Sequence, residues 1–206
     1  MYYENHHPLV KHKLTVLRNV VTKHKQFREL VGEITMLIAY DAMKHLETVP
    51  VTVDTPLAGT TGSEIKNDIV IIPILRAGVG MLEGMLNLVP TARVGFIGIY
   101  RHHDTKEPVS YYEKFPENLT DPHFFIIDPM LATGGSFVAT IDLLKEKGFN
   151  VITIISVISA PEGIRRVEEA HPDVDIYTGS IDECLDENKY IIPGLGDAGD
   201  RLFGTK

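Results

Sequence analysis

An acid stands five residues ahead of a hydroxyl–glycine–glycine–hydroxyl run in FIIDPMLATGGS, residues 125–136. Thr133, Gly134, Gly135 and Ser136 fall where an apolar strand should pass into a helix. Glycines there leave backbone N–H groups open, and the helix N-terminus adds a field that favours an anion. The two hydroxyls can donate to the same group. Together they suit one phosphate. No lysine follows the glycines and the GxxxxGK[ST] spacing is missing, so the loop is not a P-loop. A terminal monophosphate fits it better than a triphosphate. Asp128 would repel that phosphate but can accept hydrogen bonds from sugar hydroxyls. An acid for a ribose beside a cradle for its 5'-phosphate makes a ribose-phosphate site. Read from the turn alone, an ordinary glycine-rich strand-to-helix turn capped by Ser or Thr fits as well.

Three other stretches carry chemistry. In ILRAGVG (74–80), Arg76 offers a fixed positive charge, and Ala77 and Gly78 let backbone approach a ligand. Pyrophosphate needs both charge compensation and N–H donors. In YRHHDTKEPVSYYEKFP (100–116), Arg101 is placed to meet a second phosphate oxygen, and the rest has the length of a lid. His102 and His103 invite a metal, but no third ligand stands at a sensible spacing, so no metal site is expected. In YIIPGLGDAGDRLFGT (190–205), a glycine-rich backbone can present N–H and C=O groups to the edge of a flat, neutral base. Such glycine content also suits a mobile tail, although Leu202 and Phe203 would be costly to expose.

These stretches must be positioned by strands. DIVIIPIL (68–75), RVGFIGIY (93–100), HFFIID (123–128), VITIISVIS (151–159) and DIYTGSI (175–181) read as five strands, several of them continuous apolar runs that imply burial on both faces. Helices are expected over 79–88, 136–148 and 161–170. The alternation gives an α/β fold with a mainly parallel twisted sheet, flanked by helices. Ligands in such sheets lie beyond the carboxyl ends of the strands, which is where Arg76, Arg101 and Asp128 fall. Residues 9–46 carry apolar residues at helical spacing and read as helical. TVPVTVDTPL (48–57) reads as an edge strand or arm, and 58–68 as a turn-rich link. The expected division within a single domain, 1–206, is helices and arm over 1–67, a phosphate-binding core over 68–182, and a glycine-rich hood over 183–206.

Composition bounds the rest. The chain has 206 residues, suiting one domain, and a formal net charge of −8, which argues against a nonspecific nucleic-acid binder. Cys184 is the single cysteine, so an internal disulfide is excluded. No stretch approaches about 18 uninterrupted apolar residues, and no signal-like leader is present. A cytoplasmic protein without a membrane partner is expected.

Taken in order, these stretches resemble the type I phosphoribosyltransferases, and DPMLATGGS has the form used by the uracil phosphoribosyltransferase family. Many members of the wider group carry two adjacent acids at this point; here Ile127 precedes Asp128 and Pro129 follows it, as in the uracil branch. The resemblance implies transfer of a phosphoribosyl group from phosphoribosyl pyrophosphate (PRPP) to uracil, giving UMP and pyrophosphate. It implies that Asp128, Pro129, Met130, Leu131, Ala132, Thr133, Gly134, Gly135 and Ser136 bind PRPP. Arg76, Ala77 and Gly78 would grip its pyrophosphate, often with an unusual peptide geometry, and a hairpin around Arg101 would close over it. The backbones of Ile191 and of Gly196, Asp197 and Ala198 would read uracil, with the Asp197 side chain on the ribosyl donor. Arg76, Arg101, Asp128 and Asp197 are thus the expected catalytic groups. Mg2+ is expected to be carried mainly by PRPP rather than by a protein cage. A homo-oligomer, dimer or larger, and GTP as an effector also come with the resemblance.

Rival readings are a phosphoribosyltransferase for another base, an RNA-binding pyrimidine regulator on the same fold, and a silent scaffold. Orotate would call for an extra cation in the base loop, where Arg201 stands alone. A regulator should show a basic face, yet acids outnumber bases 28 to 20.

Overall fold

The computed structural model describes residues 1–101 and 108–205. The first part of the chain forms β1 (Tyr2–Glu4), α1 (Pro8–Arg18), α2 (His24–Ala42), β2 (Thr48–Asp54) and β3 (Gly59–Ile65). The middle forms β4 (Ile69–Leu75), α3 (Val79–Leu88), β5 (Arg93–Val94), β6 (Phe96–Arg101), β7 (Pro108–Lys114), β8 (His123–Ile127) and β9 (Met130–Leu131). The last part forms α4 (Gly135–Glu146), β10 (Ile152–Ser156), β11 (Ile158–Ser159), α5 (Pro161–Ala170), β12 (Asp175–Thr178), β13 (Cys184–Leu185), β14 (Ile191–Ile192) and α6 (Ala198–Phe203).

The main sheet runs β1-β12-β10-β8-β4-β6-β7, with β5 also paired to β4. Its neighbours are parallel except for β6 and β7, which form an antiparallel hairpin. The central strands are apolar throughout because helices cover both faces. One core packs α1, α2 and α3 through Leu14, Phe27, Ile34 and Met85 onto the sheet residues Ile71, Phe125 and Ile155. The other packs Phe137, Ile141 and Leu144 of α4 and Ile164 and Val167 of α5 onto Ile72, Ile126 and Ile154. Alternate residues of each strand thus serve opposite cores.

Several boundaries differ from the sequence expectation. The helical stretch 9–46 is two helices, because Asn19 leaves α1 in an extended conformation and Thr22 Oγ1 donates back to the Val16 carbonyl. The stretch taken as a link, 58–68, contains β3, which pairs with β2 from Thr48↔Ile65 to Asp54↔Gly59. Its glycine, threonine and serine residues read as turn until β2 supplies hydrogen-bond partners. RVGFIGIY breaks at Gly95, where a Cβ would press on Ile72 and the Lys114 carbonyl. The N-terminal region also contributes β1, which extends the main sheet beside β12 and stacks Tyr3 on Tyr177 at 4.7 Å. No helix among the described residues is long and apolar enough to cross a membrane.

Candidate active site

Asp128 leaves the end of β8, the central strand. Its backbone N–H still reaches the Ile155 carbonyl at 3.3 Å, while its side chain turns back to accept from the Met130 N–H at 3.4 Å. Burial pushes the carboxyl up to about 7; the Met130 N–H opposes that and the neighbouring Asp197 charge adds to it. Met130 and Leu131 then form β9, paired with β11, and Ala160 N–H donates to the Leu131 carbonyl at 2.8 Å. The segment between the acid and the cradle is therefore a fixed strand rather than a loose loop.

The cradle follows at once. Gly134 adopts a left-handed conformation, φ 76°, and as the N-cap of α4, which begins at Gly135, it supplies no side-chain cap. The first-turn N–H groups of a helix have no intrahelical partner and favour an anion. Gly163, in the first turn of α5, lies against the cradle from below: a Cβ there would come 2.4 Å from the Ala132 carbonyl oxygen.

The Arg76 loop joins this site through Gly78. The Leu75–Arg76 peptide is cis, so the unusual peptide geometry expected of this loop is present. Gly78 is bare because a Cβ would lie 2.5 Å from the Ile127 carbonyl oxygen, the residue before Asp128. Arg76 is exposed, and its guanidinium lies 6.0 Å from the Phe203 ring in α6. A Cβ on Gly199 would stand 3.3 Å from Asp197 Oδ1 and 3.9 Å from Arg76 Nη2. Arg76, Asp128 and Asp197 are thereby brought around one space, although 121 residues separate the first from the last (197 less 76).

The glycine-rich C-terminal stretch is ordered structure, not a tail. β14 pairs with β13, Ile192–Pro193 is cis, and Gly194 turns with φ 61°. Asp197 then caps α6, accepting from the Asp200 N–H at 2.8 Å. Ile191, Leu195, Ala198 and Leu202 are buried, while Gly196 and Asp197 face outward. A groove of about 580 Å³ flanks this hood, lined by residues that include Arg18, Pro193, Gly196, Asp197 and Arg201. A second groove, about 480 Å³, lies between α2, α3 and Phe203 and contains none of the cradle residues.

Arg201, the one cation in the base stretch, is turned to structural use. It donates to the Leu195 carbonyl at 2.8 Å and to the Asn19 carbonyl at 2.7 Å, and its guanidinium lies 4.3 Å from the Phe27 ring. Arg101 ends β6, and the interaction expected of its side chain lies outside what the structure describes, as do His102, His103 and the rest of 102–107. The described strands β6 and β7 nonetheless form the hairpin on which that loop is carried. Sequence reasoning gives no reason to single out Arg18, Asp182 or Gly163. Arg18 resembles any cation in the last turn of a helix, and Asp182 sits in an acid-rich stretch that reads as solvated surface.

The family model for uracil phosphoribosyltransferase matches residues 4–205. The chain belongs to this family. A uracil phosphoribosyltransferase of Symbiobacterium thermophilum is 55% identical, over 97% of this chain and 96% of the relative. Among solved structures, the AQ2163 protein of Aquifex aeolicus superimposes with a TM-score of 0.92 at 40% identity, covering 100% of this chain and 99% of that one. A hypoxanthine-guanine phosphoribosyltransferase of Bacillus anthracis is 13% identical with a TM-score of 0.53, covering 77% of this chain and 80% of that one. That likeness establishes the type I phosphoribosyltransferase fold. The family match and the mainly parallel sheet agree.

Proposed function

We infer that this chain transfers the phosphoribosyl group of PRPP to uracil, forming UMP and releasing pyrophosphate. The observation that carries the reading is the convergence of the Arg76 loop, the Asp128–Ser136 segment and the Ile191–Phe203 hood on one space. In this reading the open N–H groups at Gly135 and the Thr133 and Ser136 hydroxyls hold the 5'-phosphate. Asp128, when ionised, accepts hydrogen bonds from the ribose hydroxyls and fixes the ring. The hood offers uracil the Ile191 carbonyl and the backbone of Gly196 to Ala198.

The C1'–O bond to pyrophosphate breaks with its electron pair leaving on oxygen, the C1'–N1 bond forms, and the N1 proton of uracil passes to water. Positive charge grows on the ribose ring during that exchange, so alignment and stabilisation of the departing anion dominate. Arg76 and Arg101 serve the pyrophosphate. Asp128 and Asp197, close enough to raise the proton affinity of Asp128, fit a hydrated cation borne by the substrate. Bound Mg2+ would neutralise charge on the pyrophosphate oxygens.

We also propose a homo-oligomer. The β2–β3 arm supports it, with Val53 and Ile65 exposed and Leu57 96% exposed at its tip. GTP as an effector rests on the family resemblance, and a cytoplasmic setting on the sequence's lack of a signal-length or membrane-spanning apolar run.

UMP formation from uracil, PRPP and Mg2+ tests the reaction, with cytosine, orotate, hypoxanthine and adenine alongside and Asp197→Asn as control. Turnover of uracil alone, lost in the variant, is expected. A folded protein that binds PRPP but turns over no base would overturn the reading.

A further inference from the structure

Arg18 lies 176 residues from Gly194, yet the two are joined through a buried acid. Arg18 Nη1 and Nη2 donate to the two carboxylate oxygens of Asp182 at 2.6 and 2.5 Å. Nη1 also donates to the Gly194 carbonyl at 2.8 Å, while Asp182 Oδ2 accepts from the Gly194 N–H at 2.8 Å. One ion pair therefore takes both polar atoms of a single residue's backbone. Burial pushes the Asp182 carboxyl up, but the hydrogen bonds and charge of Arg18, with the Gly194 N–H and Ser180, outweigh it and hold the acid below its ordinary range.

Gly194 is the pivot of the hood. Its φ of 61° folds the chain back so far that a Cβ would fall 2.0 Å from the Ile191 carbonyl oxygen. It therefore fixes the Ile191 carbonyl on one side and, two residues later, the backbone of Gly196 on the other. The acid is itself anchored from below. Its N–H donates to the Ser159 carbonyl at 2.9 Å, and Ser180 Oγ donates to Oδ1 at 3.1 Å. Ser159 belongs to a buried hydroxyl cluster with Ser156 and Thr178 at the carboxyl ends of β10 and β12. The pair thus spans from the rigid sheet to the hood.

We propose that the Arg18–Asp182 pair is the positioning device of the base-reading turn, setting the spacing between the Ile191 carbonyl and the Gly196–Ala198 backbone and thereby the affinity and selectivity for uracil. In this role both residues act through the Gly194 backbone. The inference rests on the reading of residues 191–198 as the base site. A planar, two-pronged guanidinium can hold the carboxylate and the Gly194 carbonyl at once; a lysine at the same place supplies the charge without the fork.

Steady-state kinetics of Arg18→Met and Arg18→Lys test it. For Arg18→Met, KM for uracil should rise about tenfold or more, the scale on which small misplacements act, while KM for PRPP stays within about twofold. Discrimination of uracil against cytosine should narrow. Arg18→Lys should recover part of both effects. A variant that loses thermal stability while keeping the parental uracil KM and base selectivity would overturn the proposal. So would equal rises in both KM values. If Arg18→Met does not fold, Arg18→Lys decides alone: a raised uracil KM beside an unchanged PRPP KM supports the proposal, and two unchanged values sink it. Failure of the parent protein to make UMP would instead strike the reading of the reaction itself.

Discussion

The α-carbon of Gly163 faces the carbonyl of Ala132 so closely that a methyl group there would sit 2.4 Å from its oxygen. Gly134 meets Gly163 in turn, with a Cβ on Gly134 placed 2.8 Å from the Gly163 carbonyl. The turn proposed as the phosphate cradle is thus seated on the first turn of α5. Gly163→Ala should lift the cradle, raising KM for PRPP about tenfold, while overpacking costs about 1–3 kcal/mol of stability. Initial rates at varied PRPP, with urea unfolding of the same sample, would check both halves. Unchanged PRPP kinetics would show that the cradle tolerates a shifted α5.

Asp128 gives a pH dependence of definite sign. Its carboxyl is raised from 3.8 to about 7 in the folded protein, chiefly by burial. The folded state therefore binds the proton more tightly than the unfolded chain between those values. The cost of burying the charge is absent below the unfolded pKa and complete above the folded one. In ligand-free protein, Asp128→Asn should gain stability over the parent as pH rises from 4 to 8, by on the order of 2 kcal/mol. Activity should move the other way: kcat/KM for PRPP in the parent should rise with pH through about 7, as the acid ionises. A flat stability difference across that range would mean that Asp128 titrates normally.

His123 opposes it. Burial holds its imidazole down at about 4, with Asp175 resisting weakly, and its Nε2 pairs with Thr153 Oγ1 at 2.9 Å. The unfolded chain takes up the proton near 6.5 and the folded one only near 4, so stability should fall as pH drops through that window. His123→Gln should lose this slope, narrowing the acid sensitivity relative to the parent by about 2 kcal/mol. Thermal melts at several pH values between 4 and 7 would show it.

Helices α2 and α3 meet at a pair of glycines that are not equivalent. A Cβ on Gly84 would come 2.3 Å from the Gly32 carbonyl oxygen, whereas one on Gly32 would approach nothing nearer than Gly84 N at 3.9 Å. Gly84→Ala should therefore destabilise by about 1–3 kcal/mol through helix separation. Gly32→Ala should be neutral or gain up to about 1 kcal/mol from helix propensity. The denaturant midpoint of Gly84→Ala should fall, while that of Gly32→Ala should hold or rise.

The parts of the structure legible in the sequence were those set by local pattern. The helix expected over 161–170 is α5, because Pro161 starts it and Ile164 and Val167 define its buried face. The turn at Gly134 into α4 was legible because glycines and hydroxyls after an apolar strand mark a strand-to-helix turn. What could not be read depends on partners distant along the chain. β3 has the composition of a turn and becomes a strand only against β2. β1 is three residues long and gains its place from β12, more than 170 residues away. Arg18 and Asp182 lie 164 residues apart, and neither neighbourhood hints at the other. The hood was legible as glycine-rich backbone, but not as the capped helix α6, since Asp197 and Asp200 read equally well as loop acids.

The hood closes on elements made long before it: Arg201 reaches back to Asn19, and Phe203 to Arg76. The hood is therefore not a self-supporting loop but a joint across distant parts of the chain, held by an α1 boundary carbonyl, the Phe27 ring of α2 and the guanidinium of Arg76. Loosening α1 or α2 should disturb the turn at Gly196 while leaving the turn at Gly134 unchanged.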